Sequence, residues 1–381
     1  MKPYEIINYI LNDAISDVLD THQFGLLYFP DFIRWNPTVF KQELTDLFSK
    51  SGKNIIPEDL EPCRSLKHDF YNGNFSYQSK WIKTEQRYSK LGKDYNKVNF
   101  LDHSYEPVYA ELDKELWDDV KLQPIEYVII HSEYNSKDIK NLNLRNIHWF
   151  SHAYLCSEFY FKHYQKLKMV TDYTARPILH RWLCTNRLID VPRDYRIKFL
   201  NLIDTSQGMY SLLDKDPYTN RTSEEIYPGN KVLPNSFDVH ENHSAEIKIN
   251  DLTPWNTSFL HVVSETVWQD KIHFTEKVFK PIVLHQPFVV LQAPGSLAYL
   301  RSYGFKTFGD WWDESYDTIE DPQQRMQAIA DIVNAIGAKS LEELETLRME
   351  MASVLEHNFR HFYENIPAIC LDELRKGIAN L

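Results

Sequence analysis

The chain has 381 residues, enough for two or three domains with separate cores, and its 43% hydrophobic and 25% charged content is that of a folded protein. A net charge of −12 argues against a general polyanion binder, and no apolar run is long enough to span a bilayer. Four scattered cysteines show no CxxC or zinc spacing, and eleven glycines form neither GxGxxG nor GxxxxGK[ST]. Those spacings set aside a dinucleotide fold and a P-loop and predict reduced thiols in a cytoplasmic protein.

The start, "MKPYEIINYILNDAISDVL", lacks the basic opening and apolar centre of a signal peptide. The next hundred residues carry weak, aromatic-rich signals. Within them, "SKWIKTEQRYSKLGKDYNK" sets Lys80, Lys83, Arg87, Lys90 and Lys97 near one helical face beside Trp81, Tyr88 and Tyr95. That pattern suits a solvated amphipathic helix and also contact with a nucleic-acid strand. A strand is predicted at Tyr127–Ile130, and a second in "NIHWFSHAYL".

"RWLCTNRL" opens a new alternation, and "DVPRDYRIKFLNLI" reads as a helix with Pro192 near its first turn. Residues 205–256 are polar and turn-rich, as in long connections. From 258 the pattern sharpens: strand "SFLHVV", a short helix over 275–285, strand "PFVVLQ", then a helix "SLAYLRSYG" with Ser296 as N-cap, and strand "FKTF". Strand–helix–strand–helix–strand predicts a parallel sheet with helices packed on it. Asp321–Pro322 starts a helix with an apolar stripe of Met326, Ile329, Ile332, Val333 and Ile336. Ser340 and Glu343 form a capping box for the next.

In such sheets ligands bind beyond the strands' carboxyl ends. Two segments lead from a strand end toward a helix: "CTNRLIDVPRDYR", with Arg187 and Arg196, and "VVSETVWQDKIHFTEK", with Glu265, Thr275, Glu276 and Lys277. Lys277 and Lys280 stand at the electropositive end of a helix, where each cation costs roughly 0.3–1 kcal/mol. A phosphate between them and the backbone accounts for the placement, with Glu265 and Glu276 suited to ribose hydroxyls. A solvent-exposed Glu276–Lys280 ion pair accounts for the spacing equally well.

The segment from Phe259 to Phe308 resembles the donor-binding region of the α1,3-fucosyltransferase and exostosin-like glycosyltransferases. Ser264-Glu265-Thr266 stands for their Glu-Asn-Ser strand end, Phe274-Thr275-Glu276-Lys277 for their Tyr-Ile-Thr-Glu-Lys, and Pro287-Phe288-Val289-Val290 for their Pro-Val-Val strand. Arg196 matches the family arginine that reaches the donor. "IHWFSHAYL" and "HSEYN" are fainter echoes, and residues 180–320 are also similar to glycosyltransferase-like proteins of bacteria and large tailed phages. Pro281 departs from the family, whose helix is unbroken here.

The resemblance implies an α/β chain of two Rossmann-like domains facing a cleft (GT-B-like). The expected divisions are 1–175 on the acceptor side, 176–340 for the nucleotide sugar, and C-terminal helices over 341–381 packing back on the first domain. It implies transfer of a sugar from a nucleotide diphosphate, UDP or GDP, to a surface glycan or hydroxymethylated phage-type DNA. The expected outcome is inverting and metal-independent, with Arg187, Arg196 and Lys277 holding the departing diphosphate. The base is expected at Glu133 or His131, with sugar or acceptor contacts from His152, Asp313, Glu314 and Tyr316. Two other readings stay open: a metal-dependent transferase using the DxD of Asp214 and Asp216, and a non-catalytic nucleic-acid- or carbohydrate-binding protein.

Overall fold

The computed structural model describes residues 24–28, 98–104, 107–108, 121, 127–167, 173–217, 219–235 and 252–380. The chain is mixed α/β and divides into two compact units, Met1–Ser151 with Cys370–Leu381, and His152–Ile369. Each holds a four-stranded sheet whose paired strands all run parallel.

In the first unit the order is β1 (Phe24–Tyr28), β2 (Val98–His103), β3 (Tyr127–His131) and β4 (Arg145–His148). Helix α1 (Lys137–Leu142) links β3 to β4. Ser136 caps its start, and Asn143, in the left-handed region, closes it. Val128, Ile129 and Ile147 are buried, as in a sheet covered on both faces. The predicted second strand in "NIHWFSHAYL" stops at His148, and helix α2 (Ser151–Leu155) follows directly.

The second unit orders its strands β6-β5-β7-β8: β5 (His180–Cys184), β6 (Met209–Tyr210), β7 (Ser258–Ser264) and β8 (Phe288–Leu291). All of β7 and β8 is buried, which is why both read as continuous apolar runs. Helix α3 (Tyr195–Leu200) begins three residues after Pro192, and α4 (Glu276–Val283) joins β7 to β8.

Pro281 lies inside α4, where its ring removes one N–H from the ladder. The helix ends within two residues. Gln286 N–H bonds Pro281 O at 2.9 Å and His285 N–H bonds Ile282 O at 3.3 Å, a Schellman closure with His285 left-handed at φ 51°.

Helix α5 (Ser296–Ser302) starts one residue earlier than its sequence suggests. Gly295, at φ 82°, takes the N-cap position, and Ser296 is already helical. "FKTF" is not a strand. Lys306 instead exchanges both main-chain bonds with the Asn358 amide, 2.8 Å to Oδ1 and 2.9 Å from Nδ2, so a side chain takes the place of a strand partner. Helix α6 (Pro322–Gly337) buries its predicted stripe against β5 and β8. Helices α7 (Leu341–Glu350), with its Ser340–Glu343 capping box, α8 (Ala352–Glu364) and α9 (Ile366–Ala379) complete the chain.

Candidate functional site

Because the second sheet is wholly parallel, its carboxyl ends share one edge. The chain leaves β5 for β6 on one side and returns as β7 on the other, so the β5/β7 end is the topological switch point, where α/β sheets bind ligands. Cys184 Sγ and Ser264 Oγ meet there at 3.7 Å. The residues that follow, Asn186-Arg187 and Glu265-Thr266, include the candidate donor contacts Arg187 and Glu265.

Glu265 is fully buried, and both of its oxygens are taken by Thr275: the main-chain N–H at 3.2 Å and the hydroxyl at 2.7 Å. The carboxylate expected at a ribose therefore ties the β7 end to the start of α4. Burial pushes its carboxyl up, and Lys277 and Thr275 offset part of that rise. Glu276 behaves differently. Burial again raises it, but Lys277, Lys280 and His152 outweigh burial and hold it at about 2. It bonds Lys277 Nζ at 2.9 Å rather than forming a solvent-exposed pair with Lys280, which is only 6% exposed.

Lys277 keeps a fifth of its side chain open. Its ammonium also donates to Thr275 Oγ1 at 3.0 Å and Thr266 Oγ1 at 3.4 Å. Thr266, matched in the sequence as the last residue of the Ser-Glu-Thr strand end, thereby joins the site residues. Thr275 stands at the N-cap position of α4 but makes no cap bond, since its hydroxyl serves Glu265 and Lys277.

The neighbouring helix start is different. Asp317 accepts from Leu297 N–H at 2.9 Å, Ala298 N–H at 3.0 Å and Ser296 Oγ at 3.1 Å, so an internal carboxylate occupies the anion position of α5.

Arg187 is half-buried, three residues beyond β5. Arg196 is 4% exposed, and its guanidinium donates to Leu188 O at 2.8 Å, Glu265 O at 2.9 Å and Ser264 O at 3.3 Å. It pins the β7 end through main-chain carbonyls. His152 lies in this unit as well, 5% exposed and edge-on to His273 at 5.3 Å. It therefore groups with the α4 carboxylate that it influences.

The loop 310–317 is held by its own carboxylates. Asp313 bonds Ser315 N–H and Oγ, both at 2.8 Å. Glu314 accepts from Thr307 Oγ1 at 2.6 Å, Phe308 N–H at 2.7 Å and Arg301 at 3.1 Å, and Tyr316 is buried. Asp313 and Glu314 shape the loop, Asp313 from an exposed position and Glu314 from a half-buried one.

In the first unit, His131 ends β3 at 3% exposure. Its Nδ1 accepts Glu133 N–H at 3.2 Å, so Nε2 carries the proton, facing Asn146 Oδ1 at 3.2 Å. Burial first, then His148, lowers its pKa to about 4. A neutral ring with both nitrogens engaged fits a structural role. Glu133 is 2% exposed, and one of its oxygens accepts Val108 N–H.

Asp216 of the DxD is buried, and its carboxylate accepts from Ile189 N–H at 2.9 Å, Asp190 N–H at 3.1 Å and Thr219 N–H at 3.2 Å, while Asp214 is exposed. Among the described residues no group of three His, Cys, Asp or Glu is arranged to hold a metal ion, and no helix is long and apolar enough to cross a membrane. The basic–aromatic segment 79–97 lies outside the described residues. Comparison with family models, curated proteins and solved structures returns no match.

Proposed function

We propose that the chain is a nucleotide-sugar glycosyltransferase whose second unit holds the donor diphosphate and whose first unit, in the manner of GT-B enzymes, serves the acceptor. The observation that carries this reading is the contrast between the two helices starting at the carboxyl edge of the second sheet. The α5 start is filled by Asp317, whereas at the α4 start Thr275 makes no cap bond of its own and Lys277 stands beside it at the switch point. Main-chain N–H groups at a helix start together with an ammonium make an anion site.

In the proposed reaction the acceptor oxygen attacks the anomeric carbon as the bond from that carbon to the diphosphate breaks. The transition state is oxocarbenium-like, and the electron pair leaves with the diphosphate. Lys277, with Arg187 near the same edge, offsets the charge that develops there. Arg196, Glu265 and Thr275 position this machinery by fixing the β7–α4 connection. UDP and GDP sugars are the donor classes, with a surface glycan or hydroxymethylated DNA as acceptor and no metal required.

Calorimetry with UDP, GDP and CDP tests the donor site, followed by release of the diphosphate from the matching sugars. Binding of one diphosphate, lost in Lys277→Ala at a temperature where the variant is folded, is expected. Unchanged affinity in that variant sinks the assignment, and binding without any release leaves a binding protein instead.

A further inference from the structure

The segment that leaves β5 at the switch point carries a buried amide whose oxygen the fold does not use. Asn186 is 2% exposed, between half-buried Thr185 and Arg187. Its main-chain N–H donates to Ser211 Oγ at 2.7 Å, and the same hydroxyl donates to Asn186 O at 2.7 Å. Ser211 is itself tied to the strand end, its N–H bonding Cys184 O at 3.0 Å. The main chain of Asn186 is therefore fixed. Its side chain donates from Nδ2 to Cys184 Sγ at 3.4 Å. Among the described residues, none donates to Asn186 Oδ1, although that oxygen is buried.

A buried amide oxygen without a donor is rare, because its desolvation goes uncompensated. The contact from Nδ2 does not offset it, since a cysteine sulfur is a weak acceptor. The amide is thus a poor choice for packing alone, and its place shows what it could meet. Cys184 Sγ touches both Asn186 Nδ2 and, at 3.7 Å, Ser264 Oγ, which puts the amide at the boundary between the ends of β5 and β7. One residue beyond Ser264, Glu265 leads through the Thr275 hydroxyl, at 2.7 Å, to the Lys277 ammonium, 3.0 Å further on. Asn186 and the proposed diphosphate site belong to one connected set of contacts within the second unit.

The carboxylates of that set already have partners. Both Glu265 oxygens accept from Thr275, and Glu276 is paired with Lys277. In a nucleoside diphosphate the polar groups nearest the phosphates are the ribose hydroxyls, which are O–H donors in search of an acceptor. We infer that Asn186 recognises the ribose of the donor: its Oδ1 accepts a hydrogen bond from the 2′- or 3′-hydroxyl, the role that residue type assigned to Glu265 and Glu276. The inference rests on the donor-diphosphate reading. A neutral amide suits the position better than a carboxylate, because it can be buried before the ligand arrives without leaving an unpaired charge. Asn186 is a specificity residue, and the site it completes selects ribonucleotides over deoxyribonucleotides.

Calorimetry on the full chain with UDP, GDP and CDP, and with the 2′-deoxy and 3′-deoxy forms of each, tests this. The wild type is expected to bind its preferred ribonucleotide about 3- to 10-fold more tightly than one of the two deoxy forms, the worth of one neutral hydrogen bond. Asn186→Ala is expected to bind the ribonucleotide and that deoxy form equally, and Asn186→Leu, closer in volume, gives the same reading where the alanine variant does not fold. Lys277→Ala, by contrast, is expected to weaken both ligands in the same proportion and to keep the difference between them. A wild type that binds the ribonucleotide and both deoxy forms alike, or a folded Asn186 variant that still tells them apart, overturns the inference while the diphosphate reading stands. Absence of binding by UDP, GDP and CDP overturns both.

Discussion

Thr275 and Glu265 are joined by two hydrogen bonds, the main-chain N–H to Oε1 at 3.2 Å and the hydroxyl to Oε2 at 2.7 Å. The same hydroxyl accepts from Lys277 Nζ at 3.0 Å, so one side chain fixes the strand end and orients the ammonium of the candidate site. Thr275→Val keeps the shape and removes the hydroxyl, leaving Glu265 Oε2 buried without that donor. The expected cost is about 1–3 kcal/mol in urea unfolding, together with weaker diphosphate binding. Thr275→Ser is expected to restore both, and a Val variant as stable as wild type contradicts this role.

Arg196 and Lys277 are both cations at the β5/β7 edge, yet they are expected to separate on mutation. The Arg196 fork reaches three main-chain carbonyls from a site that is 4% exposed, a geometry a single ammonium cannot reproduce. Arg196→Lys is expected to cost roughly 2–4 kcal/mol, seen as a lower melting temperature, because carbonyls are left buried without donors. Lys277→Ala takes the chief counter-charge from buried Glu276, so it too is expected to lower the melting temperature, and it differs from Arg196→Lys in weakening diphosphate binding by at least about tenfold at a temperature where the variant is folded. Reversed phenotypes would exchange the two roles.

The two carboxylates of the cluster give opposite pH slopes. Glu276 is held at about 2 against an ordinary 4.5, so the stability it contributes is full above pH 4.5 and is lost as pH falls toward 2. The shift corresponds to on the order of 3 kcal/mol. Glu265 is raised from 4.5 by burial, so its contribution is full below 4.5 and is lost as pH rises through its folded value. Thermal melts across pH 2–8 are expected to show a shallower acid limb in Glu276→Gln. In Glu265→Gln the decline above pH 4.5 is expected to shrink. Parallel curves for all three proteins contradict both assignments.

The legible parts of this chain were those governed by local pattern. Buried strands β7 and β8 announce themselves as apolar runs, and Asp321–Pro322 and Ser340–Glu343 mark helix starts by residue type alone. The Thr-Glu-Lys element was visible because helix dipoles make a lysine there conspicuous. What stayed hidden depended on distant partners. Asn358 stands in for a strand beside Lys306, Asp317 fills the α5 start, and Glu373 meets His148 from 225 residues away. Spacing also could not show that Glu265 faces inward, since a polar residue at a strand end serves a ligand and a buried loop anchor equally well.

Asp216 spends its carboxylate on the main-chain N–H groups of Ile189, Asp190 and Thr219, so in this fold it holds the loop after β5. Sugar transfer or donor hydrolysis is accordingly expected to continue in EDTA at full rate. Asp216→Asn is expected to cost about 1–3 kcal/mol of stability through lost acceptors, with kcat little changed at a temperature where the variant is folded. Activity abolished by EDTA and restored by Mn²⁺ or Mg²⁺ supports the metal-dependent reading instead.

Asp317 is the last test of why α4 rather than α5 is assigned the diphosphate. Its carboxylate takes two leading N–H groups of α5 and the Ser296 hydroxyl, and Arg301 lies 3.7 Å away, so its charge is balanced within the fold. Asp317→Ala removes this external cap, with an expected cost of about 0.5–2 kcal/mol. It also bares a second helix start at the same sheet edge. Inorganic phosphate or sulfate is then expected to raise the melting temperature of Asp317→Ala more than that of wild type, because an anion replaces the missing carboxylate. If the anion stabilises the two proteins equally, Asp317 is not what closes α5, and the contrast that singles out α4 fails.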